Sequence, residues 1–538
     1  MRRVLILPRA YVLLFAITLI LRVATALPVQ QTGYMDASYA IHVAENLARG
    51  RGFTENVLWN YLDVPAGLPH PSNLYWQPLP SILIAPCFAL FGVSYRIAQI
   101  PFILLSSFLP LFAFYLSRRI LQREDYAWAT ALFTAFSGFY TIYWISPDNF
   151  TPFALTASAC LYVIARGIET QSARYFIAAG ALAALSHLSR ADGLLLLALP
   201  PIALLIFKPT RNLRAVTLFT VYCLLAYFIL MSPWFVRNYL AIGTPYPSVG
   251  TQTLWLTSYD ELFRYTDDLT PARYLAMGIG PIIQSKLTAA FLDLLVVGLG
   301  ALQLFLVPFA IAGLWRLRHR IELLPFFIYA ALLYLVMVFV FTFPSPRGSM
   351  LHSSTALLPF LAVAAPPGID VVIEWIARRR RSWNVAQASV VFRSGFVAFA
   401  IFLSLFLYAQ GIFPIFNTPS GTPLWNDRDL HYRQIAAWLD HQGNLGQNAR
   451  AEDIVMVADP PTFYNLSHRR AVVIPTDSVD AIGAAARKYD ARYLILEFDH
   501  PKPLADLYQK RVTVPWLTRV ADFQDALGRP VTLFEVAQ

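Results

Sequence analysis

The chain has 538 residues, of which 57% are hydrophobic and only 14% charged, and its mean hydropathy is +0.51. This composition excludes a soluble enzyme built on one large core and points to a multi-span α-helical membrane protein. The net charge of +10 is carried by Arg clusters at the ends of apolar segments, which act as topology signals, so no nucleic-acid partner follows.

At the start, Arg2 and Arg3 precede an apolar run, and Ala24-Thr25-Ala26 has the look of a signal-peptide cleavage site. Arg22 just before that site favours an uncleaved first span over about 11–27. A large first outer loop, 28–96, follows. In its stretch from Gly33 to Gly52, Ala40, Val43, Ala44 and Leu47 recur at helical spacing behind Asp36, and Gly50 and Gly52 end the pattern. The spacing predicts a short helix with a carboxylate at its entrance. Asp is a favoured cap, yet Tyr39 stands where a capping box would place Glu or Gln. Two readings of Asp36 are therefore open, a helix cap and a functional carboxylate facing the membrane surface. The apolar run 82–91 is too short to cross a bilayer of about 30 Å and reads as an interfacial or re-entrant helix.

Eleven spans are expected, at roughly 11–27, 97–116, 126–145, 150–165, 175–189, 193–207, 215–235, 290–314, 322–342, 353–376 and 394–413. With the amino terminus inside, the inner loops then collect Arg118, Arg119, Arg123, Arg166, Arg174, Lys208, Arg211, Arg214, Arg316, Arg318, Arg320 and Arg378 to Arg381. The transmembrane part occupies 1–415. Beyond it, 416–430 reads as a linker and 431–538 as a soluble extracytoplasmic α/β domain, with helices at 432–440 and 479–488 and strands at 453–457, 471–474, 493–498 and 530–536. Cys87, Cys160 and Cys223 sit far apart inside apolar runs and read as reduced core residues.

The unusual polar chemistry falls on the outer side. Asp148, in Ser146-Pro147-Asp148-Asn149, reads either as a turn residue or as a partner of Asp36, since carboxylates at a membrane boundary are costly unless paired or functional. Arg190, Arg237, Arg347 and His352 cluster on the same side, against the positive-inside bias. Each alone fits a snorkelling anchor; together they suit a phosphate, which Arg grips with two charge-assisted hydrogen bonds. Acids beside phosphate-binding cations suggest transfer of a group from a lipid phosphate, a carboxylate taking the proton of an acceptor hydroxyl. The chain has no glycine-rich nucleotide loop, which argues against an ATP-driven pump. A transporter or flippase of a lipid-linked substrate is the alternative, and it predicts mid-span polar residues and inverted repeats. Asp36 and Asp148 leave room for a divalent cation, but no His or Glu stands at ligand spacing beside them, so no metal residue or cofactor is assigned.

The Asp36 loop with Tyr39, Ala44 and the Gly50–Gly52 ending, the Gln77-Pro78-Leu79 entry into an apolar stretch ending Leu90-Phe91-Gly92, and Pro233-Trp234 with Arg237-Asn238 resemble motifs of the membrane glycosyltransferases of the C fold (GT-C). That superfamily includes protein O-mannosyltransferases and the lipid A aminoarabinose transferase. The resemblance covers about 1–415. It implies a plasma-membrane glycosyltransferase of the cell envelope, using a polyprenyl-phosphate-linked sugar donor and a lipid, glycan or protein acceptor. It implies Asp36 as the catalytic acid or base, Asp148 as its support, and Arg347 and His352 at the lipid phosphate. Protein O-mannosyltransferases typically carry Asp-Glu where this chain has Asp36-Ala37, which counts against a mannosyltransferase acting on protein, and the Trp-Trp-Asp-Tyr-Gly signature of oligosaccharyltransferases is absent.

Overall fold

The computed structural model describes residues 2–207, 212–247, 249–265, 269–380, 383–413, 420–444, 450 and 452–537. The inner-loop cations expected at Lys208, Arg211 and Arg381, and the first linker residues, 416–419, lie outside these. Among the described residues, eight helices are long and apolar enough to cross a membrane: Arg9–Ala26, Tyr95–Leu121, Phe150–Thr170, Leu213–Ile242, Ile279–Leu302, Ile321–Val340, Leu358–Ala377 and Val385–Ile412. The protein is a multi-pass membrane protein.

Each of the eight overlaps an expected span, and the other three expected spans are shorter elements. The segment expected as 126–145 is a helix only over Glu124–Ala135 and then breaks into 3-10 turns. The 175–189 segment is the helix Ala173–Ser189, 17 residues and so about 26 Å long. The apolar stretch expected at 193–207 covers Ala191–Ile206, half of it a 3-10 helix. The expected 290–314 span is two helices, Ile279–Leu302 and Val307–Leu317, parted where Gln303 and Leu304 take left-handed backbone. The run expected as non-spanning is the 13-residue helix Leu79–Phe91.

Small residues let the apolar helices pack closely, which matters where lipid supplies no hydrophobic drive between them. A Cβ on Gly313 would fall 1.8 Å from the Ala364 carbonyl oxygen, and one on Gly368 1.8 Å from that of Phe309. The helices Val307–Leu317 and Leu358–Ala377 therefore cross backbone to backbone. The cysteines are free thiols, Cys160 and Cys223 buried and Cys87 half-buried.

The carboxyl-terminal part is a six-stranded sheet flanked by helices. Short strands first form in the loop after the first span: β1 (Thr54–Glu55), β2 (Val57–Leu58) and β3 (His70–Pro71). The later strands are β4 (Ile454–Val457), β5 (Ala471–Val473), β6 (Ala491–Leu496), β7 (Leu517–Gln524) and β8 (Pro530–Val536). Their order is β2-β5-β4-β6-β8-β7. The first four strands of this order run parallel and the last two antiparallel to their neighbours. The edge strand β2 thus comes from the first loop, and Tyr61 of the same loop donates to the Val473 carbonyl at 2.6 Å. Four strands and both helices of the expected α/β pattern are present. Strand β7, the helix Pro460–Ser467 and the contribution of β2 are additions to it.

Candidate active site

The helix carrying Asp36 is α1 (Met35–Ala48), and its capping residue is Tyr34, in extended backbone with no side chain closing the cap. Asp36 lies inside the first turn, so the cap reading fails. The helix is held by aromatic packing. Tyr39 packs tilted against Trp76 at 4.7 Å, and Trp76 stacks on the Trp59 ring at 3.7 Å; the Tyr39 hydroxyl accepts from the Asn73 N–H at 2.6 Å.

Asp148 comes to it from the loop before the helix Phe150–Thr170. Its Oδ2 accepts from the Tyr34 hydroxyl at 3.0 Å, and its Oδ1 from the Asn149 N–H at 2.5 Å. His352 arrives from a third segment. Its Nδ1 lies 2.7 Å from Asn149 Oδ1 and 4.0 Å from Asp148 Oδ2, and its ring stacks on Phe150 at 3.9 Å. One ligand atom from each of Asp36, Asp148 and His352 lies within 4.8 Å of the others.

Burial pushes the Asp36 carboxyl up to about 8; the Asp148 charge adds to this, and Arg190 opposes it. The positive end of α1 also favours the charged form, so burial and the neighbouring acid outweigh two opposing influences. Asp148 is pushed up to about 6 by burial, against the Asn149 N–H, the Tyr34 hydroxyl and Arg190. Burial first, and Arg190 second, hold His352 well below its ordinary value of 6.5. The imidazole is therefore neutral at neutral pH. The expected phosphate-gripping cation at His352 is instead an uncharged nitrogen beside the acid pair. An amide oxygen only accepts, so Nδ1 carries the proton toward Asn149 and Nε2 keeps its lone pair.

Arg190, half-turned out of the helix Ala173–Ser189, sits beside this cluster. Its Nε donates to Asp192 Oδ1 at 2.9 Å and an Nη reaches the Gly348 carbonyl at 3.4 Å, while Asp192 also accepts from the Ser353 hydroxyl. Arg190 borders a cavity of about 190 Å³ with Tyr75, Gln77, Asn149, Asp192 and Phe341, and the Oε1 of Gln77 is buried with no hydrogen-bond partner among the described residues. Burial and the nearby Asp36 charge push the Tyr75 phenol up to about 12, which places Asp36 within electrostatic reach of the cavity wall.

Of the expected site residues, Asp36, Asp148, His352 and Arg190 come together. Arg237 is engaged elsewhere: it donates to the Phe53 carbonyl at 2.6 Å and to Asn238 at 3.0 Å, and lies over the Trp234 and Phe53 rings. This fastens the first loop to a membrane helix. The Arg347 side chain lies outside the described residues. Sequence reasoning missed Tyr34 and Asp192. Tyr34 adjoins the Asp36 motif and Asp192 lies two residues after Arg190, but nothing local marks Tyr34 as a partner of Asp148 or Asp192 as a partner of Arg190.

Two carboxylates and a neutral imidazole suit a divalent cation, and the Asn149 bond to Nδ1 is the kind of outer contact that orients a ligating His. The donor set therefore fits a metal, with Asp36, Asp148 and His352 as the residues that would hold it.

Residues 70–236 match the family described as dolichyl-phosphate-mannose-protein mannosyltransferase. No curated protein sequence matches the chain. Among solved structures, the chain is similar to ArnT from Cupriavidus metallidurans bound to undecaprenyl phosphate. The TM-score is 0.57 at 16% identity, over 97% of this chain and 97% of that one. The chain has the GT-C fold. It is likewise similar to the Archaeoglobus fulgidus oligosaccharyltransferase in complex with Zn and sulfate (TM-score 0.56, 12% identity, 97% of this chain and 73% of that one). The same organism's AglB, in complex with an inhibitory peptide and a dolichol-phosphate, matches at TM-score 0.53 and 12% identity, over 90% and 69%. The matched residues 70–236 include the Gln77-Pro78 and Pro233-Trp234 motifs, while Asp36 lies before them, and the solved structures agree with the expected fold.

Proposed function

We propose that the protein is an integral-membrane glycosyltransferase that moves a sugar from a polyprenyl-phosphate donor to an acceptor hydroxyl on the extracytoplasmic face, with Asp36 as general base. The observation that carries this reading is a carboxylate raised toward neutral pH, beside a second acid and within electrostatic reach of an Arg-bordered cavity. The acceptor oxygen forms its bond to the anomeric carbon as the bond from that carbon to phosphate oxygen breaks. The electron pair leaves with the phosphate, and the hydroxyl proton passes to Asp36. Asp148, fixed by Tyr34 and Asn149, keeps that proton affinity high. Arg190 supplies positive charge where the leaving phosphate gathers negative charge. A divalent cation held by Asp36, Asp148 and His352 would add Lewis-acid stabilisation of oxygen charge.

The topology belongs to this proposal: amino terminus cytoplasmic, carboxyl-terminal residues extracytoplasmic, with 1–415 as the membrane unit, 416–430 as linker and 431–538 as the soluble domain. The bound polyprenyl phosphates of the ArnT and AglB structures support the donor class.

The test is reconstitution with a polyprenyl-phosphate sugar. Wild-type protein should yield the freed polyprenyl phosphate and a glycosylated acceptor, and Asp36→Asn protein, inserted and folded, should yield neither. Normal product from that variant would overturn the base assignment. Movement of the lipid-linked sugar across vesicles without any product would favour a transporter.

A further inference from the structure

The helix Pro460–Ser467 of the sheet region lies directly on α1. Asn465 Nδ2 donates to the Ser38 carbonyl at 2.8 Å, and the Ser38 hydroxyl lies 2.7 Å from Thr462 Oγ1. Ser38 is two residues beyond Asp36 and fully buried. Thr462 Oγ1 donates to Asp459 Oδ2 at 2.8 Å. That proton is thereby committed, so Ser38 must donate to Thr462. Thr32, 2.5 Å from Ser38 Oγ, must then donate to Ser38. The hydroxyl chain has one polarity, ending on Asp459. Asp459 is itself buried; it caps the Pro460–Ser467 helix through the Thr462 N–H at 3.1 Å and is held by Arg428 at 3.2 Å. Arg428 belongs to another helix, Asp427–Asn444.

We propose that the carboxyl-terminal domain is a positioning element for the reaction: Thr462 and Asn465, set by Asp459 and Arg428, grip the first turn of α1 and so orient the Asp36 carboxylate. The physical reason is leverage. A helix turn held at both a side chain and a carbonyl cannot rotate about its axis, and rotation is the motion that would swing Asp36 away from Asp148 and the Arg190 cavity. Trp425, just before the Arg428 helix, adds a stop on the other side: its ring occupies the space beside Gly33, where a Cβ would come within 2.2 Å of it, and packs edge-on to Tyr34 at 5.6 Å. The soluble domain thus touches the site's helix at Ser38, and the linker's Trp425 touches Gly33 and Tyr34 just before that helix, neither contributing a group that meets substrate.

This inference rests on Asp36 being the base, and the experiment separates the two. Thr462→Val keeps shape and the backbone cap to Asp459 but removes both hydroxyl bonds. Thr462→Ser restores them, and Thr532→Val deletes a hydroxyl bond to Asp522 (3.0 Å) in the same domain, far in sequence from this contact. In reconstituted full-length protein, T462V should lower kcat about tenfold, the scale expected of sub-ångström misplacement, with the KM for the polyprenyl-phosphate sugar unchanged. T462S should recover most of the loss, and T532V, at equal or greater loss of melting temperature, should leave kcat alone. T462V with wild-type kcat, T462S no better than T462V, or an equal fall in T532V would overturn the positioning role. If instead Asp36→Asn retains full turnover, the base assignment fails and the positioning inference with it. An inactive Asp36→Asn beside an unimpaired T462V sinks the positioning inference alone.

Discussion

Two buried clusters in this protein use nearly the same side chains to opposite ends. In the membrane part, Asp36 and Asp148 meet His352 and Arg190. In the sheet region, Glu497 meets His431 at 2.9 Å, Tyr432 at 2.8 Å and Arg428 at 3.9 Å. Burial raises the proton affinity of both sets of acids. For Glu497 that penalty is overcome by Arg428, His431 and Tyr432, and its carboxyl ends below its ordinary value. For Asp36 it is not overcome, because the Asp148 charge adds to it more than the Arg190 charge opposes it, and Arg190 is turned toward Asp192. Full pairing makes a structural carboxylate; partial pairing beside an acid makes one that can take a proton near neutral pH.

The comparison can be broken by making the same neutralising change in both places. Asp36→Asn should cut turnover by roughly 10² to 10⁴ while leaving the protein folded, and at pH 8 it should melt no lower than wild type because the site no longer stores an unpaired charge. A turnover loss that merely tracks lost folding would put the two clusters in the same class. Glu497→Gln should do the reverse, costing about 3 kcal/mol of stability, the low end for a broken buried ion pair, since Arg428 keeps Asp459 and Asp499. Turnover per folded molecule should stay near wild type, and urea or thermal melts beside single-turnover rates would check both halves. A smaller effect is expected at the boundary between the regions. Gly33 has φ +76° and its missing Cβ makes room for Trp425; Gly33→Ala should cost about 1–3 kcal/mol and should be partly rescued by Trp425→Leu, which opens that space. No rescue would mean that backbone strain, not the tryptophan, sets the cost.

The sequence made the acids visible and offered Asp148 as a partner of Asp36, but not the groups that hold them. Periodicity behind Asp36, the turn around Asp148 and the clustering of cations on one side are local signals, and each led to a residue of the site. What was not legible was long-range. His352 meets Asn149 across 203 residues, and no ligand spacing can reveal that, so a nitrogen read as a cation became part of the acid cluster. Tyr34 was passed over because a phenol next to a motif looks like interface aromatic packing. Most spans were legible because an apolar run of about 20 residues has few alternatives. The failures came where apolar composition continued through a broken backbone, as at Gln303-Leu304 and after Ala135. Strand β2 is two residues long and gains its place only by pairing with β5, far along the chain.

The finest test of the contrast is the pH dependence of the reaction. Asp36 is raised from 3.8 to about 8 in the folded protein, so the folded state holds a proton that the unfolded chain releases near pH 4. The stability this contributes is fully present below that pH, declines as pH rises, and is gone above about 8. Turnover runs the other way, because a base acts only when deprotonated, and kcat should climb through neutral pH, reach half its maximum near 8 and level off about one pH unit above that. Asp148→Asn removes the neighbouring negative charge that helps raise Asp36. The rising limb should therefore move down by about one pH unit, with the plateau lowered only to the extent that the replacement amide holds Tyr34 less well. A divalent cation added to chelator-treated protein should move the limb in the same direction, since it favours both carboxylates over their acids, and the shift should vanish in His352→Ala if that nitrogen completes the donor set. A limb that stays in place in Asp148→Asn would show that the two acids do not share the site's proton, and the partial pairing that distinguishes this cluster from the one around Glu497 would lose its basis.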